Sequence, residues 1–194
     1  TTNSMGERMR IIAGEARGRR LFAPSGGDTR PTADRIRESL FNILGSRVPG
    51  ARVLDLFGGT GALALEALSR GAESAVIVDA DFRAADCIRR NAEAVLGKDW
   101  RGRAAVVRAD YRSAIDRLSG GFDLIFLDPP YRMGSACADA LERLRLHGAL
   151  LPGFVAVAER ARDRALDIPD GFSALDVRTY GDTAVEFICE GERA

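Results

Sequence analysis

From Ala51 onward, short apolar runs alternate with segments of helical periodicity, and this alternation constrains the fold more than any other feature. Arg52–Phe57, Ala75–Val78, Ala104–Arg108, Phe122–Leu127 and Phe154–Ala158 read as strands. Gly61–Ser69, about Phe82–Leu96 and about Ser135–Leu146 read as helices between them, and a further helix starts at Tyr111. Strands that are apolar throughout, rather than at every second position, belong to a parallel sheet covered on both faces. Two last strands, near Ala174–Tyr180 and Ala184–Cys189, are expected as an antiparallel pair. The expectation is an α/β, Rossmann-like chain with a mostly parallel seven-stranded sheet and an antiparallel C-terminal strand.

The first 48 residues follow a different pattern. Thr1–Arg8 reads as a flexible tail, and Met9–Ala13 and Arg19–Ala23 as a hairpin around Gly14–Gly18. Pro24–Thr29 reads as a loop, after which Thr32 is placed to cap a helix with Asp34 in its first turn. Ile36, Leu40, Ile43 and Leu44 recur at helical spacing, which puts Arg35, Arg37 and Glu38 on other faces; Gly45 stops the helix. At 194 residues the chain divides into a small hairpin-and-helix extension over 1–48 and an α/β domain over 49–194.

Composition matters here mainly for what it excludes. With 46% hydrophobic and 29% charged residues, the chain is neither disordered nor a disulfide scaffold. No apolar run approaches the roughly 20 residues that span a bilayer, and no signal-peptide core is present, so a cytoplasmic protein is expected. Cys87, Cys137 and Cys189 form no C-x-x-C pair, and His147 is the only histidine. Structural zinc, Ser-His-Asp chemistry and H-E-x-x-H hydrolysis are left with little to work with, so no metal is expected. The chemistry falls to carboxylates, backbone groups or a bound cofactor.

The formal net charge of zero hides an asymmetry. Between Arg8 and Arg37 there are eight arginines opposed by Glu15, Asp28 and Asp34, whereas from Met133 onward seven arginines face eleven acids. A basic cluster of this kind suits phosphate contacts, although a solvated face looks the same in sequence.

Asp55-Leu-Phe-Gly-Gly-Thr-Gly61 follows the first core strand and opens a helix. Gly59-Thr-Gly-Ala-Leu-Ala64 fits the dinucleotide fingerprint G-x-G-x-x-A. Asp79 ends the second strand, where a carboxylate can accept from both hydroxyls of an adenosine ribose. NAD and S-adenosylmethionine share that ribose. Asp55 tilts the reading, because a carboxylate before the loop suits a methionine ammonium better than a pyrophosphate. Asp110, after the third strand, is placed both to cap a helix and to meet an adenine amino group. The expected cofactor set is Asp55, Phe57, Gly58, Gly59, Thr60, Gly61, Asp79, Ala80, Asp110, Tyr111 and Asp128.

Asp128-Pro129-Pro130-Tyr131 follows the fourth strand. Two prolines remove two backbone donors and stiffen the turn at the carboxyl end of a sheet, where open α/β folds bind ligands. The set matches what methylation of an exocyclic amine requires. Hydrogen bonds from the amine to the Asp128 carboxylate and the Pro129 carbonyl would pyramidalise the nitrogen and aim its lone pair at a methyl donor, with Tyr131 stacked on the base. Catalysis of that kind is mostly positioning. Glu159 and Arg160, at a strand end, read as solvated, and Phe57, Phe82 and Phe126 as core or cofactor-adjacent packing.

Asp-Pro-Pro-Tyr resembles the (D/N)PP(Y/F) motif of amino-group S-adenosylmethionine-dependent methyltransferases, and the Asp55–Gly61 loop and Asp79 are similar to their first motif and ribose-binding acid. Arg10-Ile-Ile-Ala-Gly14, Arg17-Gly-Arg19, Arg30-Pro-Thr-Ala-Asp-Arg-Ile-Arg-Glu-Ser-Leu-Phe-Asn42 and Gly61-Ala-Leu-Ala-Leu-Glu-Ala-Leu-Ser-Arg-Gly71 resemble the RsmD-like family over about residues 9 to 190. That resemblance implies a class I methyltransferase that modifies a guanine N2 in bacterial 16S ribosomal RNA, with S-adenosylmethionine as cofactor. It implies a monomer acting on 16S rRNA within the small subunit or an assembly intermediate. It also implies that Arg10, Arg17, Arg19, Arg30, Arg35 and Arg37, with Thr32, face the RNA, although Arg35 or Arg37 is equally placed to pair with an acid. Family members commonly carry Ala-Gly-Ser-Gly where this chain has Gly58-Gly-Thr-Gly61. Three alternatives are weighed: a DNA adenine-N6 methyltransferase using the same tetrapeptide, a nicotinamide oxidoreductase, and an RNA-binding module without turnover.

Overall fold

The apolar runs form one seven-stranded sheet. Its strands are β1 (Arg52–Asp55), β2 (Ser74–Asp79), β3 (Ala104–Arg108), β4 (Phe122–Leu127), β5 (Leu150–Ala161), β6 (Phe172–Tyr180) and β7 (Thr183–Glu190). Their order is β3-β2-β1-β4-β5-β7-β6. Strands β1 to β5 are mutually parallel, and β7 runs antiparallel to both β5 and β6. The helices are α1 (Pro31–Leu44), α2 (Ala62–Ser69), α3 (Phe82–Leu96), α4 (Tyr111–Ile115) and α5 (Ala136–His147). This computed structural model describes residues 9–23, 31–130 and 133–191, with the backbone alone for Pro31 and Thr32. The expected tail over 1–8, the loop over 24–29, Arg30 and Tyr131 lie outside the described residues.

Alternation along each strand assigns the two faces. On β4, Leu124 and Phe126 join the layer that contains α1, α2 and α3, while Phe122, Ile125 and Leu127 join the layer of α4 and α5. Leu124 to Leu127 are at most 1% exposed, and burying such side chains contributes about 1.5–3 kcal/mol each. Strand order reverses between β1 and β4, the position at which open α/β sheets leave a crevice at their carboxyl ends.

The amino-terminal segment is not a regular hairpin. A single bridge, Arg10 to Arg20, joins its arms, with Ile11 N–H donating to Arg19 and Leu21 N–H to Met9. The reason lies in where the other donors go: the Ile12 and Ala13 N–H groups bind the two carboxylate oxygens of Glu66 on α2, at 2.8 and 3.0 Å. Ser69 adds a bond to the Ala13 carbonyl and accepts from the Ala16 N–H. Gly14, at φ +86°, sits so close to α2 that a Cβ there would lie 1.9 Å from the Ser69 carbonyl oxygen. This strap explains why α2 is buried on nearly every side, its Glu66 and Ser69 included, since it lies between sheet and strap.

Helix α1 begins at Pro31, so Thr32 is a helical residue rather than the cap; proline suits the first helical position because its missing N–H would be unpaired there anyway. Its buried stripe is Ile36, Leu40, Phe41 and Leu44, with Ile43 turned outward at 38% exposure. Choosing Phe41 over Ile43 rotates the buried face and carries Arg37 inward, to 5% exposure. Phe82, expected to pack, is 64% exposed, with Arg108 over its ring.

Candidate active site

The carboxyl ends of the five parallel strands build the site. The loop after β1 is held by its own backbone: the Gly58 N–H donates to the Val78 carbonyl, and the Gly59 N–H to one Asp79 carboxylate oxygen at 2.9 Å. The other Asp79 oxygen accepts from the Asp81 N–H. Gly61, at φ +80°, then starts α2 from the left-handed region. At Gly58 a Cβ would lie 2.6 Å from the Ile77 side chain and 2.9 Å from that of Ile88, so this loop is packed tightly against β2 and α3 with no room for an alanine unless they shift.

Phe57, Gly59, Asp79, Ala80, Asp110, Tyr111, Asp128, Pro129 and Pro130 line one cavity of about 530 Å³. Gly58, Thr60 and Gly61 shape the loop without lining the cavity. Asp110 caps α4, accepting from the Arg112 N–H, while its residue stays exposed at the rim. Tyr111 is fixed by its hydroxyl, which donates to Asp139 at 2.6 Å, and by its ring against Phe57. Burial and the Asp139 bond raise its phenol to about 12, so it stays protonated.

Asp55 lies beneath the cavity rather than in its wall. It is 1% exposed, accepts a bond from the Phe57 N–H, and is pushed up to about 7 by burial. Asp128 is open to solvent through the cavity mouth, but its carboxyl is crowded by protein, and burial with the nearby Glu159 and Asp55 charges raises its pKa. Burial raises Glu159 as well. Leu54 on β1 and Ala158 on β5 face the α4–α5 layer, so Asp55 and Glu159, the next residues on those strands, turn to the other side, and Asp128 follows Leu127 directly after β4. Among the described residues no cation pairs with any of the three. Such a group is unfavourable unless a positive or donor-rich ligand completes it.

Sequence reasoning missed Leu56, Asp81, Ala109, Met133 and Glu159 as cavity residues. Glu159 carries the main correction: it is half-buried beside Asp128 rather than solvated. Its neighbour Arg160 is committed to Glu186 on β7. Cys137, near Asp128, is buried and pushed up to about 12, which leaves it a thiol rather than a nucleophile. His147 ends α5 and bonds the Leu118 carbonyl.

The basic residues separate. Arg10, Arg17 and Arg35 line a second hollow of about 360 Å³ with Asp34 and Glu38. Arg19 turns to the Ala94 carbonyl on α3. Arg37, expected to face RNA, instead donates to the Arg10 carbonyl and Asp34 and lies 3.8 Å from Glu66, so it is structural. Ser39 bonds Tyr180 at the end of β6, and Tyr180 opposes Thr183, which opposes Ala161 at the end of β5. Helix α1 therefore lies at the same end of the sheet as Asp128.

The cavity fits the expected S-adenosylmethionine: a ribose-length carboxylate at Asp79, apolar walls at Leu56, Phe57 and Met133, and uncompensated negative charge for a sulfonium and an ammonium. Among the described residues no cluster is arranged to hold a metal ion, and no helix is long and apolar enough to cross a membrane.

The family model described as conserved hypothetical protein 95 matches residues 9–189. The Bacillus subtilis protein YlbH is 38% identical, with 91% of this chain and 96% of that protein covered. Ribosomal RNA small subunit methyltransferase D of Haemophilus influenzae is 34% identical, with 93% of each chain covered. The solved structure of yhhF from Escherichia coli superposes with a TM-score of 0.82 at 30% identity, covering 96% of this chain and 99% of that one.

Proposed function

The chain belongs to the RsmD-like family, the family of the conserved hypothetical protein 95 model, and on that footing we propose that it methylates the exocyclic N2 of a guanine in 16S ribosomal RNA. Its class is that of an S-adenosylmethionine-dependent rRNA methyltransferase. The observation that carries the acceptor reading is Asp128, held by two prolines at the switch point of the sheet without a cationic partner among the described residues.

When bound, S-adenosylmethionine supplies a methyl group already activated on a sulfonium. Asp79 and Asp110 are assigned to its ribose and adenine, and Asp55 to the charge of its methionine end. The Asp128 carboxylate accepts from the target amine, draws the nitrogen lone pair out of conjugation and orients it. The proton departs with or after transfer, when the nitrogen has become acidic, so no strong base is required. Phe57, Tyr111 and Met133 exclude water and fix the orientation on which the rate depends. Residues 1–48 act as the RNA-facing extension of the 49–194 domain, with Arg10, Arg17 and Arg35 on phosphates. The base must leave its stack to reach Asp128, which favours an unpaired nucleotide and fits a small subunit or assembly intermediate as substrate.

The test is transfer from methyl-labelled S-adenosylmethionine to undermethylated small subunits, followed by digestion and identification of the labelled nucleoside. N2-methylguanosine is expected. N6-methyladenosine overturns the acceptor while leaving the fold and the Asp128 chemistry intact.

A further inference from the structure

We propose that Glu159 is the residue that selects guanine, accepting the N1–H of the base while Asp128 holds its N2 amine. The inference rests on the guanine reading above and extends it to a residue with no assigned role. Leu127, the last residue of β4, pairs with Ala158 on β5, so Asp128, directly after β4, follows beside Glu159 on the neighbouring parallel strand. Such strands lie about 4.8 Å apart. Both Asp128 and Glu159 line the cavity with Pro129 and Pro130.

The base edges then decide. Guanine offers two adjacent donor groups, the N2 amine and the N1–H. Adenine and cytosine each place a bare ring nitrogen, an acceptor, beside the exocyclic amine. Two neighbouring carboxylates complement the first arrangement and repel the second. Arg160, the cation next in sequence, is held by Glu186, and among the described residues none donates to Glu159. A site built to hydrogen-bond one edge discriminates strongly because the wrong edge leaves its buried groups unpaired.

Glu159→Gln keeps the shape, removes the negative charge and replaces one of the two acceptor oxygens with an amide group that only donates. The experiment measures methyl transfer by wild type and variant to small subunits whose mapped acceptor nucleotide carries either guanine or 2-aminopurine, introduced by RNA ligation. 2-Aminopurine keeps the N2 amine but has no N1–H. Wild type is expected to prefer guanine by about 10- to 100-fold, the range of one good base-edge contact. The variant is expected to lose a similar factor on guanine and to narrow or reverse the preference, with its thermal unfolding unchanged. A variant that keeps the guanine rate, or loses both acceptors equally, removes Glu159 from base selection and leaves the N2 assignment standing. A wild-type product of N6-methyladenosine overturns both.

Discussion

A buried carboxylate on α2 and a group of three at the carboxyl ends of the parallel strands are built in opposite ways. Glu66 on α2 is fully buried, yet it accepts from the Ile12 and Ala13 N–H groups, is bonded by Arg70 at 2.8 Å and lies beside Arg37. Asp55, Asp128 and Glu159 share the strand ends with no cationic partner among the described residues, and all three are pushed upward by burial. Glu66 is completed by the fold and therefore holds it. The other three are left for something that arrives later. Buried charge alone does not mark an active site; buried charge whose complement is missing does.

The contrast breaks most sharply at Asp128. Asp128→Ala is expected to lower kcat by about 100- to 1,000-fold, the scale for removing one group that stabilises charge in the transition state, while the unfolding midpoint in urea holds. A simultaneous collapse of stability would place Asp128 with Glu66 instead. Glu66→Ala has the reverse signature. It strands two arginines and two backbone donors, and is expected to destabilise the chain by about 3–5 kcal/mol in urea unfolding. Gly14→Ala tests the same strap through sterics. With φ at +86° and the Ser69 carbonyl oxygen in the way, a loss of about 1–3 kcal/mol or more is expected, read as a lowered melting temperature.

The pH dependence follows from the carboxylates at the cavity, Asp55 first. The folded protein keeps a proton on Asp55 that the unfolded chain releases above its ordinary value of 3.8. Stability without cofactor is therefore expected to fall as pH rises from about 4 to about 7 through this group. A cationic ligand favours the ionised carboxylates, so S-adenosylmethionine binding should release protons and tighten with pH, by up to about tenfold per pH unit for each proton released. Calorimetry in buffers of different ionisation heat measures that release, and its absence would show that the cluster is already ionised. The smallest effects belong to the basic hollow. Replacing Arg10, Arg17 or Arg35 with alanine should weaken rRNA binding modestly and lower the magnitude of the salt slope by about 1 each. Arg37→Ala should reduce stability through its buried contacts rather than through the salt slope.

Much of the site was legible before any coordinates. The loop over Asp55–Gly61, the strand-end Asp79 and the Asp-Pro-Pro turn each combine residue types whose chemistry is local, and residues from all three meet at one cavity. Glu159 was not legible, because nothing around it in sequence separates a solvated charge from one facing Asp128; the register of β4 on β5 makes that distinction. Arg37 misled for a related reason. Its helix offers two apolar stripes, through Ile43 or through Phe41, and the choice depends on the strap and on Phe126 beneath it.

Strand and helix order, the parallel sheet and most of the residues that line the cavity were determined by the sequence itself, since periodicity and turn chemistry act over a few neighbours. Which charges are completed and which are left open was decided only by tertiary structure. Compensation depends on groups distant in sequence, as Ile12 is from Glu66 and Asp128 from Glu159, and only the folded sheet and strap bring them together.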